Sequence, residues 1–263
     1  MDRSGFQPRY AQLSCDERGV ATLAIANAGK LNILGTPVIE DLIACLKHLA
    51  ADPDLRALVL TGGGERAFVG GADIGEMARL DPASARAFIG RLRDLCDAVR
   101  RLPVPVIARI QGWCLGGGLE LAAACDLRVA EASVRFAMPE VRVGIPSVIH
   151  AALLPGLIGR GRARWLIMTG QTIDARRALE WGLVDVLAQD TLDAEVERTL
   201  ADVLASGPAV LRAQKALLNR WEEIPLSEGI ETSVVAFGEA FATGEPARYM
   251  QAFIDRKAAR QTR

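Results

Sequence analysis

The stretch "VPVIARIQGWCLGGGLELAAACDL", Val104 to Leu127, sets a β-branched run and then three glycines directly before an apolar helical run. Val104–Ile110 reads as a strand, Gln111–Cys114 as a turn, and Gly116–Cys125 as a helix that begins at its glycines. Glycine is weak inside a helix, but it lets another molecule approach the backbone closely. The first amides of a helix have no intrahelical partners. Such free N–H groups favour negative charge, either a bound anion or an oxyanion that develops during a reaction. The alternative is that the glycines only permit tight packing of helix on sheet. Gly118→Ala is the natural control, since it keeps every amide and raises helix propensity unless its methyl clashes.

Outward from this stretch the chain has two regimes. From Arg9 to about Glu131, β-branched runs ("GVATLAIAN", "LRALVLTG") alternate with helical patterns ("TPVIEDLIACLKHLA", "PASARAFIGRLRDLCDAVRRL"), which is βα alternation. From about Ser147 onward the strands nearly vanish, and helical stretches are punctuated by Gly170, Gly182, Gly207 with Pro208, and Pro225. Composition shifts near Glu195–Pro208, so residues 1–200 are expected to form an α/β core and residues 201–263 a helical region.

Composition excludes several function classes. Among 263 residues, 31 Lys and Arg nearly balance 32 Asp and Glu, and no basic stripe is interleaved with aromatics, so a nucleic-acid partner is not expected. The start "MDRSGFQPRY" lacks an apolar signal core, and no window approaches the roughly eighteen apolar residues of a membrane span. A soluble, untargeted protein is expected. Five cysteines without a C-x-x-C pair fit reduced thiols packed as small hydrophobes, hence a cytoplasmic location. Only His48 and His150 exist, with no metal-ligand spacing around them, so no metal site is expected. No G-x-S-x-G elbow, phosphate loop or dinucleotide fingerprint occurs. The remaining chemistry must run on carboxylates and backbone amides.

A second glycine-rich turn, "TGGGERAFVGGADIGEM" (Thr61–Met77), follows the strand "LRALVL" and ends in another helix start. Ligands collect at such strand ends in open α/β sheets, and one carbonyl oxygen can be held by amides from both turns. Glu120 lies three residues after Gly117, beside the same opening. Glu140, in "FAMPEVRVGIP", is either exposed at a turn or buried with a raised pKa, and its neighbours alone lean towards exposure.

Three segments, "LRALVLTGGGERAFVGGADI", "IARIQGWCLGGGLELAAACDLRVAEASVRFAMPEVRVGIP" and "LIMTGQTIDARRALEWGLVDVL", with "YMQAFIDRKA" near the end, together resemble the enoyl-CoA hydratase/isomerase (crotonase) superfamily. The likeness covers nearly the whole chain and rests chiefly on the two glycine turns and the spacing of Glu120 and Glu140. It implies an α/β fold, a spiral of ββα units followed by a C-terminal helical trimerisation region, and a homotrimer or a hexamer built as a dimer of trimers. It also implies that the Ala72 and Gly117 amides form an oxyanion hole for a thioester carbonyl. Ala72, Asp73, Ile74 and Gly75 would border the pantetheine of an acyl-CoA substrate, and Glu120 and Glu140 would be the catalytic pair. Adding water across a Cα=Cβ bond needs one group to orient and deprotonate water and another to protonate Cα. The implied activity is reversible hydration of a trans-2-enoyl-CoA to a 3-hydroxyacyl-CoA, with no cofactor beyond the coenzyme A of the substrate. Isomerases of the family need only the carboxylate at the Glu140 position, so Glu120 favours hydration. The alternatives are an isomerase or related lyase, and a non-catalytic acyl-CoA-binding protein.

This chain departs from the family pattern where "GIPSVIHAALLPGLIG" (Gly144–Gly159) replaces a glycine-rich segment. His150 within it either faces the acyl chain or, as the residues favour, is a satisfied packing residue. Lys30 is either a phosphate contact or a solvated loop lysine, and Gly71 stands where the family often has alanine. The Asp73 and Asp126 side chains are expected to cap backbone N–H groups, the four tryptophans to pack in core or interface, and His48 to reach solvent.

Overall fold

The computed structural model describes residues 6–261. An antiparallel hairpin, β1 (Ala11–Cys15) and β2 (Val20–Ile25), opens the chain, and α1 (Thr36–Ala50) follows. Three turns of a spiral come next, each with a longer strand and then a shorter one. They are β3 (Ala57–Gly62) with β4 (Ala67–Val69), β5 (Val106–Ile110) with β6 (Trp113–Leu115), and β7 (Leu127–Ala130) with β8 (Arg135–Ala137). The first turn ends in α2 (Ile74–Met77) and α3 (Pro82–Arg101), the second in α4 (Gly117–Ala123). After β8 come two 3-10 turns, Glu140–Val143 and Ile149–Leu153, then α5 (Leu154–Ile158) and α6 (Arg160–Thr169). The two-residue strand β9 (Ile173–Asp174), α7 (Ala175–Trp181) and the two-residue strand β10 (Val186–Leu187) lead to α8 (Leu192–Leu204), α9 (Pro208–Glu223), α10 (Leu226–Ala242) and α11 (Glu245–Gln261).

The longer strands form one sheet in the order β1-β2-β3-β5-β7-β10, and the shorter ones a second sheet in the order β4-β6-β8-β9. All of β3 is buried, as in a parallel sheet covered on both faces. On one face, Ile39, Leu42, Leu46 and Leu49 of α1 and Phe88, Leu92, Leu95 and Val99 of α3 fill the main core at helical spacing. On the other, Leu192, Val196 and Leu200 of α8 cover Val59, Ile107 and Val129. The ββα spiral expected from the resemblance is therefore present. One local reading was incomplete: "QGWC" is not all turn, because Trp113–Leu115 pairs with β4 and β8.

Helix α9 is latched to the core by Lys215. Its ammonium is buried and donates to Asp126 Oδ2 at 2.7 Å and to the carbonyls of Val99 and Val104. Asp126 also accepts from the Val106 N–H at 2.7 Å, so it caps as expected and carries an ion pair as well. Beyond α9 the apolar residues lie outside: Leu226, Val234, Phe237 and Phe253 are each more than 60% exposed. Trp113, Trp165 and Trp221 are exposed too, so in this chain alone they are not core. His48 is half-buried and stacked on Phe6 with ring centroids 4.7 Å apart, rather than solvent-facing. Four of the five cysteines are buried free thiols. Among the described residues no helix is long and apolar enough to cross a membrane, and no group of three His, Cys, Asp or Glu side chains is arranged to hold a metal ion.

Candidate active site

The second sheet builds the site. β4, β6 and β8 run parallel, so their C-terminal ends lie side by side, and each delivers one part. The chain leaves β4 through Gly70 and Gly71 to Ala72, leaves β6 through Gly116 into Gly117 and α4, and leaves β8 through Pro139 to Glu140. A cavity of about 580 Å³ opens over these ends, lined by Ala72, Ile74, Gly117, Glu120 and Glu140 and walled by apolar residues such as Phe88 and Leu92. Asp73 and Gly75 are not among its lining residues. Asp73 instead caps α2 by accepting the Glu76 N–H at 3.0 Å.

Two N–H groups stand free at the cavity. Neither Ala72 nor Gly117 donates to a backbone carbonyl or side chain among the described residues. Gly117 begins α4, where an amide lacks an intrahelical acceptor. A methyl built on Gly117 would sit 3.9 Å from the Ala72 nitrogen and 3.9 Å from Glu120 Oε2, so both amides and one carboxyl border a single small space. Gly116 has φ +51, and any side chain there would overlap Glu140 Oε1; this turn requires glycine. At Gly118 a methyl would overlap the Val69 carbonyl oxygen and lie 2.6 Å from Val69 Cβ. Gly118→Ala is therefore not a neutral control, because strand β4 packs directly against α4 at that point. The two readings of the glycines divide by position: Gly118 serves packing, whereas Gly117 leaves an amide open.

Glu120 is 3% exposed. Its Oε1 accepts the Ala151 N–H at 3.0 Å, and its Oε2 lies on the Gly117 side. Burial pushes its carboxyl up to about 8, opposed by the Ala151 hydrogen bond and aided by the charge of Glu140. Glu140 opens a 3-10 turn and is half-buried rather than exposed, correcting the sequence expectation. Burial raises its pKa too, against its own backbone N–H and the Ser147 hydroxyl, which donates to Oε2 at 2.9 Å. Glu120 feels the charge of Glu140, so ionising one carboxyl opposes ionising the other. The site thus combines free amides with two carboxyls whose pKa values are both raised.

His150 does not line the cavity. It is buried, with Nε2 3.2 Å from Asp97 Oδ1, which agrees with packing over an acyl-facing role, although Nδ1 has no hydrogen-bond partner among the described residues. Lys30 is exposed. Sequence reasoning missed Ser147, Asp97 and the Ala151 amide. The departure of Gly144–Gly159 from the family pattern was the one signal for Ser147 and Ala151, and Asp97 had none.

Comparison with known proteins identifies the family and the fold. The family model described as enoyl-CoA hydratase/isomerase matches residues 16–262. The chain is 32% identical to the short-chain-enoyl-CoA hydratase of Clostridium acetobutylicum, covering 92% of this chain and 93% of that protein. It is 33% identical to the crotonyl-CoA hydratase of Syntrophomonas wolfei, covering 92% and 94%. The crystal structure of an enoyl-CoA hydratase from Bacillus anthracis superposes with a TM-score of 0.89 at 30% identity, over 94% of this chain and 97% of that one. The chain belongs to the enoyl-CoA hydratase/isomerase family.

Proposed function

We propose that this protein is an enoyl-CoA hydratase, adding water reversibly to a trans-2-enoyl-CoA to give a 3-hydroxyacyl-CoA. The observation that carries this reading is the convergence of two free amides, Ala72 and Gly117, with two carboxyls, Glu120 and Glu140, in one apolar cavity. The thioester oxygen binds between the amides. As water adds, its oxygen bonds to Cβ, the C=C electrons move towards the thioester, and the oxygen gains enolate charge that the amides stabilise. The ionised glutamate takes a proton from the water and the protonated one gives a proton to Cα. Protons and electrons balance without a redox or metal cofactor, and coenzyme A enters only as part of the substrate. Ile74 borders the pantetheine together with the Ala72 turn.

The open cavity reaching both carboxyls weighs against a non-catalytic binding protein closed to water. Glu120, aimed at the same space as the amides, weighs for hydration over isomerisation. The exposed apolar faces of α10 and α11 support residues 201–263 as an oligomerisation region on a core of residues 1–200, giving a homotrimer or hexamer, and the reduced cysteines support a cytoplasmic location. The test is hydration of crotonyl-CoA, followed by loss of enoyl absorbance. Glu120→Gln and Glu140→Gln should each lower kcat about a hundredfold or more, and their combined effect should fall well short of the product. Near-normal hydration by Glu120→Gln would remove it from the catalytic pair.

A further inference from the structure

The segment Ser147–Ala151 touches both glutamates. Ser147 Oγ donates to Glu140 Oε2 at 2.9 Å, and four residues later the Ala151 N–H donates to Glu120 Oε1 at 3.0 Å. Between them the backbone passes through Ile149 at φ +39. A β-branched residue is strained there, so surrounding contacts must hold the turn in place. One contact is polar. His150, the next residue, places Nε2 3.2 Å from Asp97 Oδ1 on α3, while its Nδ1 makes no hydrogen bond among the described residues. Burial lowers the His150 pKa, with Asp97 opposing and Arg100, also on α3, reinforcing that shift. The Asp97 carboxylate 3.2 Å away favours the tautomer with its proton on Nε2. A histidine buried only for its volume would need no carboxylate beside it.

We propose that Asp97 and His150 are positioning residues: they pin the strained turn Ser147–Ala151 to α3, so that its hydroxyl and its amide hold Glu140 and Glu120 in register with one water molecule. This inference rests on the reading of Glu120 and Glu140 as the catalytic pair.

The experiment compares kcat and KM for crotonyl-CoA hydration in His150→Leu, His150→Gln, Asp97→Ala, Asp97→Asn and Ser147→Ala, with Glu120→Gln as reference and folding checked by circular dichroism. His150→Leu and Asp97→Ala should lower kcat about 10- to 100-fold with KM nearly unchanged, as expected for a small displacement of reacting groups. Gln at 150 still offers an N–H and Asn at 97 still offers an oxygen, so each should recover most of the loss. Ser147→Ala takes a donor from the Glu140 carboxylate, which raises its pKa and should move the acid limb of the kcat–pH profile up by about one unit. A merely structural role would lower the melting temperature without this kcat split and without rescue by Gln or Asn. Parental kcat in folded His150→Leu, or His150→Gln as slow as His150→Leu, would overturn the proposal. Asp97 is partly exposed, so parental kcat in Asp97→Ala overturns it even if His150→Leu does not fold. A fast Glu120→Gln refutes the catalytic reading itself, whereas a slow Glu120→Gln beside a fast Asp97→Ala refutes only the positioning role.

Discussion

Replacing Glu120 by glutamine should make the protein both slower and more stable, and the gain in stability should grow with pH. The side chain is isosteric, and its oxygen can still accept the Ala151 N–H that Glu120 Oε1 accepts at 3.0 Å. What changes is the cost of ionisation. Burial pushes the folded-state carboxyl from 4.5 up to about 8. Below about pH 4.5 the carboxyl is protonated in both folded and unfolded chains, and Glu120 costs nothing. Between 4.5 and 8 only the unfolded chain releases the proton, so the parent loses stability as pH rises; above 8 both forms ionise and the loss levels off. Because one pKa unit corresponds to about 1.4 kcal/mol, the ceiling is about 5 kcal/mol, and the change between pH 5 and pH 8.5 is about 3 to 4 kcal/mol. Glutamine has no such dependence. Urea unfolding of parent and Glu120→Gln at both pH values, at one fixed protein concentration, gives the difference directly. Parallel stability profiles for the two proteins would show that Glu120 is not a desolvated carboxyl, and the acid–base pairing would fail with it.

Three further outcomes follow from the turns and the tail. Gly117→Pro removes the free amide at the first position of α4, where proline is tolerated, so hydration per folded molecule should fall by about 10² to 10³; a folded variant at the parental rate would refute the oxyanion role. Gly118→Ala should destabilise the fold by about 1–3 kcal/mol through overlap with Val69, despite its better helix propensity, and a raised melting temperature would contradict that contact. Light scattering at micromolar concentration should give three or six chains per particle, whereas a monodisperse monomer would leave Phe237 and Phe253 without a partner surface.

Much of the site was legible in the sequence because its parts are local. Free amides announce themselves as glycines at a helix start, and Glu120 stands within one turn of Gly117. Legibility stopped where a side chain's surroundings come from distant segments. Glu140 read as exposed because what lies against it, the Gly116 turn and Ser147, comes from outside its immediate neighbours. Trp113 and Cys114 read as turn because a three-residue strand has too little pattern to show alternation, and only its pairing partners reveal it. Asp97 lies on a helix of ordinary amphipathic pattern, and nothing near it in sequence points to His150. The sequence stretches of α9 to α11 read as helical, yet the attachment of α9 through Lys215 was invisible for the same reason.

That attachment bears on how the chain acquires its fold during synthesis. Asp126 closes the segment that begins at Gly117, and its counter-ion is supplied 89 residues later. A nascent chain that has emerged only through α8 can give Asp126 the Val106 N–H but no positive charge, so this corner of the core stays electrically incomplete until α9 arrives. Helix α4 is thus secured at its far end by an element made well after it. A protein cut short before residue 215 would lose the anchor of α4 along with its helical tail.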